Sequence, residues 1–266
     1  MNKIAAIVVT YKDTEEKLAK LETSLINEGL KKENIYFRVN DKDNVGYGEG
    51  INRILRDELD NYDAFLILNP DIEIKRFFLL PLFKTLEENK AIGIVGPKIL
   101  DHAGRIWSMG GEIDRKRYSG GLISYEKKDK MEHSISYPDF VSGTAMLIKK
   151  EIFKKIGLFQ KDYFLYYEDV DFCLRAKKAG FQCAINPRAE MTHFASSTTG
   201  KDSPLMQYYM ARNHLLFVER FAPIRVKMRE IARLSKTLYE ARNRHYELMG
   251  IRDYFLRRFY KNDNWR

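Results

Sequence analysis

The first patterned stretch of the chain, Ile4-Ala5-Ala6-Ile7-Val8-Val9-Thr10, is an apolar, largely β-branched run that stops at Tyr11-Lys12-Asp13. It reads as a buried strand. Beyond it Leu18, Leu21, Leu25 and Ile26 recur at helical spacing, so a helix is expected over residues 14–28. Thr14 is placed as its N-cap, with Glu15 and Glu16 at the positive end of the helix dipole. A strand is expected over 35–39, then a polar, glycine-rich stretch to Gly50 and a helix over 51–59. The continuous apolar run Ala64-Phe65-Leu66-Ile67-Leu68 has the pattern of a strand covered on both faces, and it ends at Asn69-Pro70-Asp71. A helix over 77–89 and a strand over 92–95 follow. Strands alternating with helices imply an α/β domain with a mainly parallel central sheet. In such sheets ligands sit beyond the carboxyl ends of the strands, where Thr10-Tyr11 and Asn69-Pro70-Asp71 fall.

From residue 100 to 137 the pattern shortens, and Gly104, Gly110, Gly111, Gly120 and Gly121 point to hairpins. Residues 141–148 read as a strand, 150–156 as a helix closed by Gly157, and 169–179 as a helix closed by Gly180. Near the end, Ile224, Met228, Ile231, Leu234 and Leu238 draw one apolar stripe along a helix.

Composition narrows the class. With 266 residues and 44% hydrophobic positions the chain can bury a sizeable core. No segment approaches the roughly 18 consecutive apolar residues of a membrane span. The opening run is read as a strand, because it lacks the cleavage site of a signal peptide. Two cysteines, Cys173 and Cys183, are too few for a disulfide framework or a zinc site and suit a reducing cytoplasm. The net charge of +9 is concentrated: residues 219–266 hold thirteen Lys/Arg against six Asp/Glu. The chain is therefore divided into a domain over 1–218 and a basic, helical extension over 219–266.

Three groups of residues carry candidate chemistry. Asp71, fixed by Pro70 at a strand end, suits a divalent cation held against a diphosphate, and equally suits an ordinary Asn-Pro-Asp turn. In Tyr166-Tyr167-Glu168-Asp169-Val170-Asp171, three carboxylates crowd beside aromatic rings. They repel one another unless a cation or a proton is shared, which is a setting for a general base. Against that, Asp169 reads as a helix N-cap and Asp171 as a partner of the dipole. His193 follows a strand, in a structural or a ligand role, and precedes Ser196-Ser197-Thr198-Thr199-Gly200-Lys201, a loop suited to phosphates.

Five segments occur in an order that resembles the inverting family 2 glycosyltransferases of GT-A fold, especially their bacterial rhamnosyltransferase-type members. They are Ile7-Val8-Val9-Thr10-Tyr11, Asn44-Val45-Gly46-Tyr47-Gly48-Glu49-Gly50-Ile51-Asn52, Leu68-Asn69-Pro70-Asp71, Val141-Ser142-Gly143-Thr144-Ala145-Met146, and Phe164 through Arg175. The resemblance covers residues 4–220. It implies a Rossmann-like nucleotide-diphospho-sugar transferase domain, a dTDP- or UDP-sugar donor with rhamnose as the leading sugar, and a Mn2+ or Mg2+ cofactor. The acceptor it implies is a bacterial surface glycan or lipid-linked saccharide. Thr10 and Tyr11 would then border the base; Asn44, Gly46, Gly48 and Asn52 the nucleoside; Asp71 and His193 the metal and diphosphate; and Asn69, in place of the motif's usual first aspartate, the donor. Asp169 would be the base and Glu168 would position the acceptor or that base. The stretch Phe37-Arg38-Val39-Asn40-Asp41-Lys42-Asp43 departs from the family's pattern, which leaves the base contact to Asp41 or Asp43.

The basic helix has three readings: packing on the catalytic domain, packing on a second subunit, or lying on an anionic membrane at the inner face of the plasma membrane. Two rival functions are a catalytically silent nucleotide-sugar-binding module and a nucleic-acid-binding protein. The second lacks any recognised motif, and its 16 tyrosines are scattered, so no nucleic acid is expected.

Overall fold

The computed structural model describes residues 3–129, 133–194, 203–240, 244–259 and 261. The first part alternates as expected: β1 (Ile4–Thr10), α1 (Glu15–Asn27), β2 (Ile35–Val39), α2 (Tyr47–Glu58), β3 (Ala64–Leu68), β4 (Ile72–Ile74), α3 (Leu79–Glu88) and β5 (Ile92–Leu100). Thr14 caps α1, its hydroxyl accepting from the Lys17 N–H. There follow β6 (Ile106–Ser108), the hairpin of β7 (Gly111–Asp114) and β8 (Ser119–Leu122), β9 (Ala145–Lys149), α4 (Lys150–Ile156), α5 (Glu168–Lys178) and β10 (Gln182–His193).

The eight-stranded sheet has the order β2-β1-β3-β9-β5-β10-β4, with β6 beside β5. β1 is parallel to β2 and β3, β9 runs antiparallel between β3 and β5, and β10 is parallel to β5. Thus β1, β2, β3, β5 and β10 share one direction and the carboxyl ends of β1, β3 and β10 meet one edge. Alternating side chains serve two cores. Ile7, Val9, Phe65 and Ile67 face α2, α4 and α5, while Ala6, Val8, Leu66 and Leu68 face α1 and α3. Both faces are covered, which is why these strands carry no polar alternation.

Three expected boundaries move for physical reasons. α2 begins at Tyr47, so the glycine-rich stretch is its first turn and not a loop. Gly48 lies there against Phe159 and Glu168, where an added Cβ would come within 3.1 Å of Phe159 Cβ. The strand expected over 141–148 begins only at Ala145, because Ser142 closes a turn by accepting from the Thr144 N–H. α5 begins at Glu168 with Tyr167 at the cap position, so Asp169 sits in the first turn and is not the N-cap.

Three helices finish the described chain: α6 (Pro204–Phe221), α7 (Ile224–Glu240) and α8 (His245–Phe255). α6 is capped by Ser203 and runs unbroken past residue 219. α8 packs along it so closely that a Cβ on Gly250 would lie 2.3 Å from the Tyr208 carbonyl oxygen. α7 packs on the domain as one reading expected, but not by this stripe, of which Leu234 is half-buried. Ile224, Met228, Ile231 and Leu238 are all exposed. The helix docks by its other side, through buried Val226 and Glu230, the latter beside Arg117, His214 and Arg233. No helix among the described residues is long and apolar enough to cross a membrane.

Candidate active site

The aromatic run before α5 does not follow a regular backbone. Phe164, Tyr166 and Tyr167 have φ of 63°, 66° and 75°. Each such position costs a bulky residue on the order of 1–3 kcal/mol and persists only where its surroundings hold it. Here α6 does the holding. The Asn213 side-chain amide donates to the carbonyls of Tyr163, Leu165 and Tyr166 at 2.9, 2.8 and 2.8 Å. The Arg212 guanidinium donates to those of Asp162 and Tyr163 at 3.0 and 2.7 Å. Both residues are fully buried. From the other side the Tyr47 N–H donates to the Phe164 carbonyl at 2.8 Å. The turn passes this close only because position 46 is glycine: a Cβ there would lie 2.4 Å from that carbonyl oxygen.

This turn delivers Glu168 and Asp169. The two Asp169 oxygens accept from the Val170 N–H at 2.8 Å and the Gly143 N–H at 2.7 Å. Burial raises the Asp169 carboxyl, and these two N–H groups oppose the rise. Glu168 is also buried, and burial together with the Asp169 charge pushes its carboxyl up to about 8. The carboxyl pair crowded in the sequence is thus set apart by its surroundings: burial and the Asp169 charge raise Glu168, while two N–H groups favour the charged form of Asp169. Asp171 is settled separately: it is fully buried and paired with Arg175 at 2.6 Å and Arg220 at 2.9 Å.

Asp71 and His193 come together at the sheet edge because β10 pairs with β4 so that His193 lies opposite Ile72. His193 Nε2 is 3.3 Å from Asp71 Oδ1 without hydrogen-bond alignment, and both buried ring nitrogens lack a partner. Trp107 packs edge-on against the imidazole, ring centroids 4.5 Å apart, and fixes its plane. Burial would raise the Asp71 carboxyl, but the neighbouring His193 and Lys17 outweigh it and hold it below the usual range. An acidic oxygen beside an unpartnered imidazole fits a divalent cation that takes its remaining ligands from a diphosphate. Among the described residues no group of three His, Cys, Asp or Glu forms a complete cage. The two halves of the site meet near Tyr47, whose phenol is pushed up by burial and then by the carboxyls of Glu168, Asp169 and Asp71.

The remaining expected residues divide. Thr10 is buried at the end of β1, and Tyr11 follows it half-buried. Asp41 reaches the same place, accepting from the Lys12 N–H at 2.8 Å, whereas Asp43 is taken up by Arg38 and Arg53. Asn69 stands at the end of β3 and donates its N–H to the Thr144 carbonyl. Asn44 closes a turn onto the Gly46 N–H at 3.1 Å. Asn52 is turned elsewhere: its amide exchanges two hydrogen bonds with the Phe159 backbone, at 2.8 and 2.9 Å. The close approach that Gly46 and Gly48 allow is to the aromatic turn and Glu168. The polar loop at 196–201 lies outside the described residues. Arg212, Asn213 and Trp107 were not singled out by sequence. The signal for the first two was a polar pair inside the buried stripe running from Tyr208 and Tyr209 to Leu216 and Phe217.

Residues 123–212 match the model of the family described as Glycosyltransferase like family 2. The Low-salt glycan biosynthesis hexosyltransferase Agl10 of Haloferax volcanii is 32% identical over 166 residues, 58% of this chain and 53% of that protein. The N-acetylglucosaminyl-diphospho-decaprenol L-rhamnosyltransferase of Mycobacterium tuberculosis is 25% identical over 181 residues, 60% of this chain and 59% of that one. The chain thus spans little more than half the length of these relatives. The solved structure of GalNAc-T7 with UDP, GalNAc and Mn2+ superposes with a TM-score of 0.57 at 12% identity, over 82% of this chain and 48% of that one, a likeness of fold. By sequence the chain is similar to family 2 glycosyltransferases, among them a hexosyltransferase and a rhamnosyltransferase, and its fold is GT-A.

Proposed function

We propose that the chain is an inverting glycosyltransferase that moves a sugar, with rhamnose the leading candidate, from a dTDP- or UDP-linked donor to a hydroxyl of a glycan or lipid-linked acceptor. The observation that carries this reading is the carboxyl pair in α5: Asp169, held by two backbone N–H groups, beside the buried Glu168. A carboxylate so fixed is suited to take the proton of an attacking hydroxyl. In the step, the acceptor oxygen bonds to the anomeric carbon while the bond to the diphosphate breaks on the opposite face. The proton passes to Asp169 and the electron pair leaves with the nucleoside diphosphate. Glu168, still protonated, positions the acceptor or the base. Thr10, Tyr11 and Asp41 border the nucleotide, with Asn44, Gly46, Gly48 and Asn69 shaping its surroundings. Asp71 and His193 would hold Mn2+ or Mg2+, which when bound stabilises the charge of the departing diphosphate.

In the same reading residues 1–218 carry the chemistry and residues 219–266 are a basic extension that rests on an anionic membrane at the cytoplasmic face. Two observations support this: the outward stripe of α7, and Arg225, Arg229 and Lys236 exposed around it. The acceptor named in the mycobacterial relative is a decaprenol-linked diphosphate, which is consistent with a membrane-borne substrate.

A donor screen reading nucleoside diphosphate release, with Mn2+, with Mg2+ and with EDTA, tests the proposal. Turnover with at least one dTDP- or UDP-sugar and loss of turnover in EDTA are expected. Thermal stabilisation by a nucleotide sugar with no turnover on any acceptor would leave a binding module in its place.

A further inference from the structure

Asp169 is linked to a residue on a different helix through one backbone glycine. The Tyr47 hydroxyl donates to the Gly143 carbonyl at 2.7 Å, and the N–H of Gly143 donates to Asp169 Oδ2 at 2.7 Å. The backbone N–H of Tyr47 holds the Phe164 carbonyl in the turn that leads into α5. One residue at the start of α2 therefore grips both the backbone that contacts Asp169 and the turn on which Asp169 is carried.

Gly143 explains why such a grip is required. A Cβ at this position would lie 3.2 Å from Asp169 Cβ and 3.3 Å from Oδ2, so a side chain here crowds the carboxylate. Glycine gives the close approach but leaves both backbone torsions loose, and its N–H is then free to swing away from the carboxylate. A hydrogen bond to its carbonyl removes that freedom. The donor is dependable: burial and the nearby charges of Glu168, Asp169 and Asp71 push the Tyr47 phenol far up, so it stays protonated.

We infer that Tyr47 is a positioning residue for Asp169, acting through the Gly143 backbone. The inference rests on the reading of Asp169 as the base. A hydroxyl that merely filled space would leave the ionisation of Asp169 alone. One that aims the Gly143 N–H at the carboxylate must change it, because that bond favours the charged form.

The test is a double-mutant cycle on the full chain, with Tyr47→Phe, Asp169→Asn and both together, followed by nucleoside diphosphate release. The active fraction of each is counted by titration with UDP or dTDP plus Mn2+. Tyr47→Phe is expected to lower kcat about tenfold, the size of one lost hydrogen bond, with the donor KM within about twofold of wild type. The acid limb of its kcat profile moves to higher pH. The ionisable groups facing Asp169 are Glu168, Tyr167 and Cys173 along α5 and its cap, and Tyr47 from α2. Of these only Glu168 has an ordinary value in the acid range, so the limb belongs to the carboxyl pair. In the Asp169→Asn background the added Tyr47→Phe change costs nothing further. A tenfold loss that persists in that background would show Tyr47 acting on substrate directly and overturn the inference. A loss with an unmoved acid limb, or no loss, would also overturn it. Asp169→Asn turning over like wild type is a separate result, visible in the single variant, that removes the base assignment and the inference with it.

Discussion

α5 and α7 break the amphipathic rule in opposite directions. α5 buries its acids, with Glu168 at 5% and Asp171 at 0% exposure. α7 turns Ile224 and Ile231 outward at 69% and 63% and docks by a buried glutamate. An ordinary surface helix does the reverse, and a buried charge or a line of exposed apolar groups is therefore the informative departure. The departures differ in how they are sustained. In α5, two arginines pair with Asp171, two N–H groups hold the half-buried Asp169, and burial pushes the Glu168 carboxyl up to about 8. Among the described residues, α5 is held by contacts within the chain, whereas most of the α7 stripe meets none.

The strongest challenge to this contrast is to remove the support of the α5 site. Asn213→Ala deprives the carbonyls of Tyr163, Leu165 and Tyr166 of a shared donor and loosens three left-handed aromatic residues. It is expected to cost about 3 kcal/mol of stability, with turnover falling as the carboxylates lose their register. Urea unfolding and nucleoside diphosphate release measure the two losses; an Asn213→Ala chain with wild-type stability would mean that the turn holds itself. Gly46→Ala attacks the same turn from α2. A methyl 2.4 Å from a backbone oxygen, at a φ of 88°, is expected to cost about 2 kcal/mol by the same unfolding measurement.

How far the sequence reached follows the same division. The sheet was legible because its strands are unbroken apolar runs closed by Thr10-Tyr11 and Asn69-Pro70-Asp71. The crowding at Glu168-Asp169 was legible as a clash of like charges. The sharing of duties was not. The proton on Glu168 depends on burial, and the hold on Asp169 depends on Gly143, 26 residues away. Arg212 and Asn213 stayed hidden because their partners are backbone carbonyls, which leave no trace in residue type. The α7 stripe was visible, but its direction was not, since spacing fixes which residues share a face and not what that face meets.

A smaller effect separates α5 from α7 by pH. The Glu168 carboxyl keeps its proton in the folded chain to about 8, while the unfolded chain releases it near the ordinary glutamate value. Between those two values the folded state binds more protons, so stability falls as pH rises, by up to about 1.4 kcal/mol per pH unit. Below the ordinary value and above about 8 this contribution is flat. Glu168→Gln removes the slope, and urea midpoints at pH 5, 6, 7 and 8 should then differ less than in the wild type. An unchanged slope would place the proton elsewhere.

The least effect on stability belongs to α7, and that is what makes it diagnostic. Replacing Ile224 and Ile231 by Asp removes apolar groups already in water, so each change should cost less than about 0.5 kcal/mol. Turnover on a soluble acceptor should stay at the wild-type rate. If an anionic membrane completes this surface, the wild type co-sediments with phosphatidylglycerol vesicles and not with phosphatidylcholine vesicles, and the double variant with neither. Salt should weaken the binding, since the basic flanks act through screened charge. If a second copy completes it, the wild type sediments as a dimer and the variant as a monomer, and vesicles make no difference. A wild type that stays monomeric and ignores both vesicle types would leave the exposed stripe without an occupant and dissolve the contrast with α5 from the side of α7.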